Sequence, residues 1–344
     1  MTGEPLRERT VSFRTADGFE CALINVRGDA EPHKGPVLLV HGAGVRANIF
    51  RAPTRRSFVE HLVAAGYDVW LENWRASIDL PPNPWTLDQA ALYDHPAAVG
   101  VVVRETGWKE IKAVVHCQGS TSFMMSAAAG LVPEVRTIVS NAVSFHTVVP
   151  PFSRFKLRLV PLLRRWTAYL DPSWGDHAPT PFAKLVSLFV ELTHRECSNA
   201  VCRQVSVTYG SGFPALWSHE NLDANTHDWL RREFGHVPLT FFAQMAECVR
   251  RGHLVAVEDR AGLPSDFTAR APATDARVAL FAGADNLCFL PESQRRSYEW
   301  LDALRPGYHS LHVIPGYGHL DVFMGHNAAQ DTYPLILSEL DRTV

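Results

Sequence analysis

Cys117 lies in Val115-His116-Cys117-Gln118-Gly119, between a β-branched run, Ile111 to Val115, and a small-residue stretch of helical spacing, Ser120 to Ala129. A buried strand that breaks abruptly into a helix is the setting in which G-x-S-x-G holds a nucleophile on a strained turn. Here cysteine stands in the serine position and Val115 in that of the first glycine. Gly119 keeps the second small position, where the helix must pass close to the strand. A thiol at a helix N-terminus sits in the positive end of the helix dipole, and a neighbouring imidazolium lowers its pKa further. The resulting thiolate needs less help from a base than an alkoxide does. A free cysteine is also commonly an inert core residue, so the assignment rests on what else the chain supplies.

Three other loops supply the remaining parts. The run Pro36 to Val40 ends in His41-Gly42-Ala43-Gly44, where the N–H of Ala43 can act with that of Gln118 as an oxyanion hole. Arg277 to Phe281 ends in Ala282-Gly283-Ala284-Asp285, and Ser310 to Ile314 leads to Gly318-His319. Nucleophile, acid and base then follow one another as Cys117, Asp285 and His319. In these roles Cys117 attacks a carbonyl carbon, His319 takes its proton, and Asp285 orients the imidazole. His41, Gly42, His116, Trp74 and Phe145 are the candidate substrate contacts around them. Ser120, a rival nucleophile, lies one helical turn in and points away. The histidines show no metal-ligand spacing, and no cofactor is expected.

These loops need a framework that brings strand ends together. Val11 to Arg14 and Cys21 to Val26 flank Ala16-Asp17-Gly18 and read as an edge hairpin. Beyond it buried runs alternate with amphipathic helices, among them Ser57 to Gly66 and Asp88 to Gly107. Pro96 implies a kink in the second of these, or a restart with Asp94 as its cap. The alternation predicts an α/β fold, a mostly parallel sheet with helices on both faces. It lapses from Ser144 to Ala261, so residues 1–143 and 262–344 are read as the core and 144–261 as an inserted helical cap over the strand ends. Within the cap, helical pieces are expected at Phe155 to Leu170 and Ala183 to His194. Phe145, Phe152, Trp166, Trp174, Phe182, Phe189 and Trp217 are available to line an apolar cavity or to form the cap's own core.

With 344 residues, 46% hydrophobic and 20% charged, the chain can bury a substantial core. A net charge of −3 gives no reason to expect a nucleic-acid partner. The polar start MTGEPLRERT does not read as a signal peptide, and no apolar run reaches membrane-spanning length. Six scattered cysteines without that signal read as reduced thiols, and the cytoplasm is the expected location. The expected partner is a small hydrophobic acyl substrate; a homo-oligomer is compatible with the sequence.

DVWLENWR, YDHPAAVGVVVRETG leading into VVHCQGS, and GYGHLDVFMG followed by AAQDTYPLIL together resemble the acid lipases, gastric and lysosomal, of the α/β-hydrolase superfamily. The resemblance implies an eight-stranded sheet, a mobile cap over an acyl pocket, and ester hydrolysis. Those relatives are secreted and use serine in a glycine-bounded turn. Cysteine in this slot is similar to dienelactone hydrolases and polyhydroxyalkanoate synthases. The expected activity is hydrolysis of an ester, lactone or thioester through an acyl-cysteine. An acyltransferase or cyclase passing the same acyl group to an alcohol or amine, and a non-catalytic binding protein, are the alternatives.

Overall fold

The computed structural model describes residues 6–342; the first five residues of the polar N-terminal stretch lie outside it. Ten strands occur among these residues: β1 (Arg7–Arg14), β2 (Glu20–Arg27), β3 (Pro36–Val40), β4 (Asp68–Asn73), β5 (Ile111–His116), β6 (Val135–Asn141), β7 (Tyr169–Leu170), β8 (Val237–Pro238), β9 (Arg277–Gly283) and β10 (Ser310–Ile314). Eight of them form one sheet in the order β1-β2-β4-β3-β5-β6-β9-β10. β1/β2 and β2/β4 are antiparallel and every other pair is parallel. The hydrophobic pattern explains the order. β3, β4 and β9 are buried along their whole length, as strands covered on both faces must be, whereas β1 lies largely exposed at the edge.

Because β3, β5, β9 and β10 run the same way, their carboxyl ends open onto one rim. Val40 pairs with Val115, His116 with Asn141, Asn141 with Phe281, and Ile314 with Gly283. The loops carrying His41 to Gly44, Cys117, Ala284 to Asn286 and His319 therefore meet there.

Below the rim, two buried polar networks fix the elements. His95 Nδ1 lies 2.9 Å from Glu72 on β4, and its Nε2 lies 2.7 Å from Ser122 Oγ on the helix Gln118–Ala128. Arg75 donates to both Asp94 and Asp17. Asp94 is thus a buried ion-pair partner and not the expected cap. The helix starts at Thr86, which forms a capping box with Gln89, and runs through a π turn at Ala90–Asp94 into His95–Thr106. The wider turn absorbs Pro96, which has no N–H to donate. At the end of the chain two short helices follow one another, Ala328–Asp331 and Tyr333–Asp341, with Pro334 in the first turn of the second.

Between β6 and β9 the chain leaves the sheet. It forms helices Pro151–Arg158, Val160–Leu163, Pro181–Thr193, Ala200–Tyr209, Ala224–Trp229 and Leu239–Arg251, with β7 and β8 paired as a short antiparallel clasp. The piece expected from Phe155 to Leu170 is broken at Leu159 and ends by Leu163. Apolar side chains of this segment are left uncovered: Phe152, Phe155, Leu162, Leu185, Leu188 and Leu192 are each more than half exposed.

Candidate active site

Cys117 is the turn between β5 and the helix Gln118–Ala128, with φ 56° and ψ −122°. An L-residue is rarely held there, and the conformation costs about 1–3 kcal/mol. Neighbouring bonds impose it: Cys117 N–H donates to the Asn141 carbonyl, and Thr121 N–H donates back to the Cys117 carbonyl, both at 3.1 Å. Val115 stays in the strand, buried and paired with Val40. Gly119 cannot be larger, since a Cβ there would lie 2.2 Å from the His41 carbonyl oxygen. Gly42 is equally constrained; a Cβ on it would sit 2.9 Å from the Cβ of Cys117. The His41–Gly44 loop is therefore packed directly on the thiol-bearing residue.

His319 arrives from the loop after β10 and is buried. Its ring, that of His116 and Cys117 Sγ offer donor atoms within 4.8 Å of one another. The two imidazoles pack at 4.6 Å between centroids, and Asn141 Nδ2 holds His116 by its Nδ1 at 2.9 Å. On the far side, His319 Nδ1 lies 3.1 Å from Asn286 Nδ2. The amide orientation follows from its other bonds: Asn286 Oδ1 already accepts from the N–H groups of Cys288 and Phe289, at 2.9 and 3.2 Å. Asn286 must therefore donate to Nδ1, which leaves the proton of a neutral His319 on Nε2.

Asp285 does not take that place. It is exposed at the rim, and the next residue, Asn286, points inward to His319. The turn after β9 explains the one-residue shift: Asp285 N–H donates to the Tyr317 carbonyl and Asn286 N–H to that of Gly283, which turns residue 286 into the protein. Ser120 is buried and hydrogen-bonded to Ser140 and the Val143 carbonyl, away from any cavity. His41, Trp74 and Phe145 are also buried beneath the site. Trp74 donates its indole N–H to the His41 carbonyl, and Phe145 packs on Trp300. None of the three lines either cavity at Cys117, whereas Gly42 and His116 do.

Electrostatics at the thiol are decided by its neighbours. Burial opposes the Cys117 thiolate, but the adjacent Cys288 thiol, His319 and the Gln118 N–H outweigh it and hold the thiol well below its usual pKa. Cys288 is pushed the other way, first by burial and then by Cys117, and stays a thiol. Its S–H lies between Cys117 and the Tyr209 carbonyl and can donate to one at a time. Burial and the neighbouring imidazoles drive His116 well below the usual histidine range, and burial takes His41 to about 3. Both stay neutral.

Two spaces open at Cys117. One is a pocket of about 20 Å³ between Ala43, Gly42, His116, Tyr209, Cys288 and His319, enough for roughly one oxygen atom or water. The other is a cavity of about 610 Å³ reaching under the inserted helices, with Cys117 and Gln118 at its base and Phe152, Phe182, Phe189, Phe241 and Met245 among its walls. Of the aromatic residues expected there, Phe145, Trp166, Trp174 and Trp217 lie elsewhere.

Residues 35–325 match the family model described as alpha/beta hydrolase fold. The chain belongs to the α/β-hydrolase fold family. Among curated relatives, this α/β-hydrolase is 29% identical to sterol esterase 2 of Saccharomyces cerevisiae over 133 residues, 34% of this chain and a quarter (25%) of that protein. It is 25% identical to the gastric triacylglycerol lipase of Bos taurus over 358 residues, 94% of this chain and 85% of the lipase. That match bears out the resemblance to acid lipases. A thermophilic esterase from Thermogutta terrifontis shares the fold, with TM-score 0.59, 15% identity, and coverage of 97% of this chain and 100% of the esterase. The chain is a hydrolase-family enzyme with lipases and esterases as its kin.

Sequence reasoning missed Asn286, Cys288 and Tyr209 around the thiol. It also missed a second cluster in the inserted segment: donor atoms of Cys197, Cys202, His219 and His227 lie within 4.8 Å of one another. The first group comes from loops far apart in the chain; the second lies within residues 197–227, where Cys197 and Cys202 form a C-x4-C pair but His219 and His227 are spaced more widely than the usual H-x3–5-H.

Proposed function

We propose that this α/β-hydrolase cleaves an ester, lactone or thioester of a hydrophobic acid through an acyl-Cys117 intermediate. The observation that carries the reading is the position of Cys117: on a strained turn, thiolate-favouring, at the junction of a one-atom pocket and a long apolar cavity. The Cys117 thiolate attacks the carbonyl carbon, and the carbonyl oxygen enters the small pocket towards the N–H groups of Ala43 and Gln118. As the tetrahedral intermediate collapses, the His319 imidazolium formed when Cys117 lost its proton gives its Nε2 proton to the departing alkoxide or thiolate and returns to a neutral ring. His319 then takes a proton from water, which attacks the thioester and frees the acid and Cys117. Asn286 and His116 hold the ring of His319 in place. Residues 144–261 act as a cap, its apolar interior receiving the acyl chain and its apolar exterior meeting hydrophobic substrate.

Transfer to another acceptor is the second reading. Asn286 offers Nδ1 a donor, so the imidazolium that forms when His319 deprotonates water lacks an acceptor on that side. An amine acceptor needs less help from a base than water does. Intact-mass analysis during turnover of p-nitrophenyl esters of graded chain length tests the proposal. A burst of p-nitrophenol with an acyl mass on Cys117, absent in Cys117→Ala, is expected; turnover surviving in Cys117→Ala overturns it. Free acid as the product marks hydrolysis, and an amide or new ester formed with added acceptors marks transfer.

A further inference from the structure

The inserted segment gathers a set of side chains that the chemistry at Cys117 does not use. Cys197 lies in the loop after helix Pro181–Thr193, Cys202 in the first turn of Ala200–Tyr209, His219 in the one-turn helix His219–Asn221, and His227 in Ala224–Trp229. One donor atom from each falls within 4.8 Å of all the others. Cys202 Sγ and His219 Nε2 are 3.3 Å apart. In a tetrahedron with Zn–S of ~2.3 Å and Zn–N of ~2.0 Å, ligand atoms are separated by roughly 3.3–3.8 Å, so the spacing is that of an edge. His227 Nε2 is buried with no hydrogen-bond partner among the described residues.

We propose that Cys197, Cys202, His219 and His227 bind one Zn²⁺ as a structural centre that fastens the inserted segment to the loop carrying His319. Two thiolates and two imidazoles on a closed tetrahedron are a zinc donor set, soft enough to disfavour magnesium or calcium and without the open position a catalytic metal keeps. On binding, the two thiols release their protons to solvent and the imidazoles bind as neutral ligands, so the centre carries no net charge. A supporting shell is present. Asn199 Oδ1 accepts from Cys202 N–H at 3.1 Å, and its Nδ2 donates to the His227 carbonyl at 2.7 Å, tying two ligand-bearing helices together.

The link to the active site runs through the segment around His219. The Leu216 carbonyl accepts from the N–H groups of His319 and Leu320, at 3.0 and 2.8 Å. Ser218 N–H and Asn221 Nδ2 both donate to Asp321 Oδ2, at 3.1 and 2.7 Å. A metal on His219 therefore pins the strip of backbone from which the His319 loop hangs. This role rests on the proposed function; the metal site itself does not.

Elemental analysis of the full chain, purified without a metal-binding tag and desalted over chelating resin, tests the site. About one zinc per chain is expected, lost in Cys197→Ser/His227→Ala and kept in Cys117→Ala. Because the double variant can fail to fold, the reduced wild-type protein is also stripped of metal and titrated with Co²⁺. Sulfur-to-cobalt charge transfer and tetrahedral d–d bands are expected. Absence of both zinc and cobalt binding overturns the site, as does zinc retained by the double variant or lost from Cys117→Ala. A Cys197–Cys202 disulfide with no metal uptake after reduction also overturns it. If metal removal leaves the melting temperature and ester turnover unchanged, the fastening role is refuted while the site stands. If the protein has no esterase activity at all, zinc content and melting temperature still decide the matter.

Discussion

Replacing Asn286 by Asp changes one atom group at the centre of the site, and its effect can be worked out from the bonds around it. The wild-type amide donates to His319 Nδ1 at 3.1 Å while its oxygen accepts two backbone N–H groups. A carboxylate keeps the accepting oxygen and presents a second one to Nδ1, which must then carry a proton. The imidazolium form gains a charge-assisted hydrogen bond of ~1.5–3 kcal/mol. Since imidazolium and thiolate form as a pair, Cys117 ionises more readily by about one to two pH units, at ~1.36 kcal/mol per unit. The rate of Cys117 alkylation by iodoacetamide, followed by peptide mapping across pH, reads this directly. In Asn286→Asp its half-point moves down by that amount. Asp285→Asn, at an exposed position, leaves it in place, with changes of no more than ~0.5 kcal/mol. Superimposable profiles for Asn286→Asp and wild type, or a shift produced by Asp285→Asn instead, would falsify the placement of Asn286 behind His319.

Other consequences are open to measurement. Cys117→Ser exchanges a thiolate for a hydroxyl that depends on a base held in the wrong tautomer, so steady-state turnover of an activated ester falls by about 10²-fold or more; full activity would mean the thiol is dispensable. Arg75→Met leaves Asp94 buried without its cation and lowers stability in urea by ~3–5 kcal/mol. Burial brings Lys156 from 10.5 down to about 8, so the unfolded chain holds that proton more tightly between those values. Stability therefore rises with pH across that window, by up to ~3 kcal/mol. Lys156→Met removes that contribution; a wild-type curve parallel to the variant's from pH 8 to 10.5 would contradict the assignment.

Much of this architecture is legible in the chain because it is written in local periodicity. Buried β-branched runs and amphipathic helices alternate, and the abrupt break at Val115-His116-Cys117 marks the strained turn. Cys117 is readable as the residue just beyond β5, and His319 as the histidine of the glycine-bearing loop that follows β10. Asp285 is not, since whether residue 285 or 286 faces inward depends on backbone bonds to Tyr317 and Gly283, which belong to other loops. Asp94 misleads for a similar reason: an acid before a proline-bearing helix resembles a cap until Arg75, nineteen residues earlier, claims it. The walls of the cavity are hidden more deeply. Trp166 and Phe182 look alike in sequence, and only the packing of helices sends one to solvent and the other to the cavity.

Gly42 pressed against Cys117 on one flank and the His319–His116 pair on another leave an incoming carbonyl a single approach. If the carbonyl oxygen takes the one-atom pocket and the chain the larger cavity, as proposed, one of the two prochiral faces is turned to sulfur. On the proposed reading, a stereocentre next to that carbonyl meets a fixed set of walls, so the two enantiomers of a racemic α-branched ester should be turned over at unequal rates.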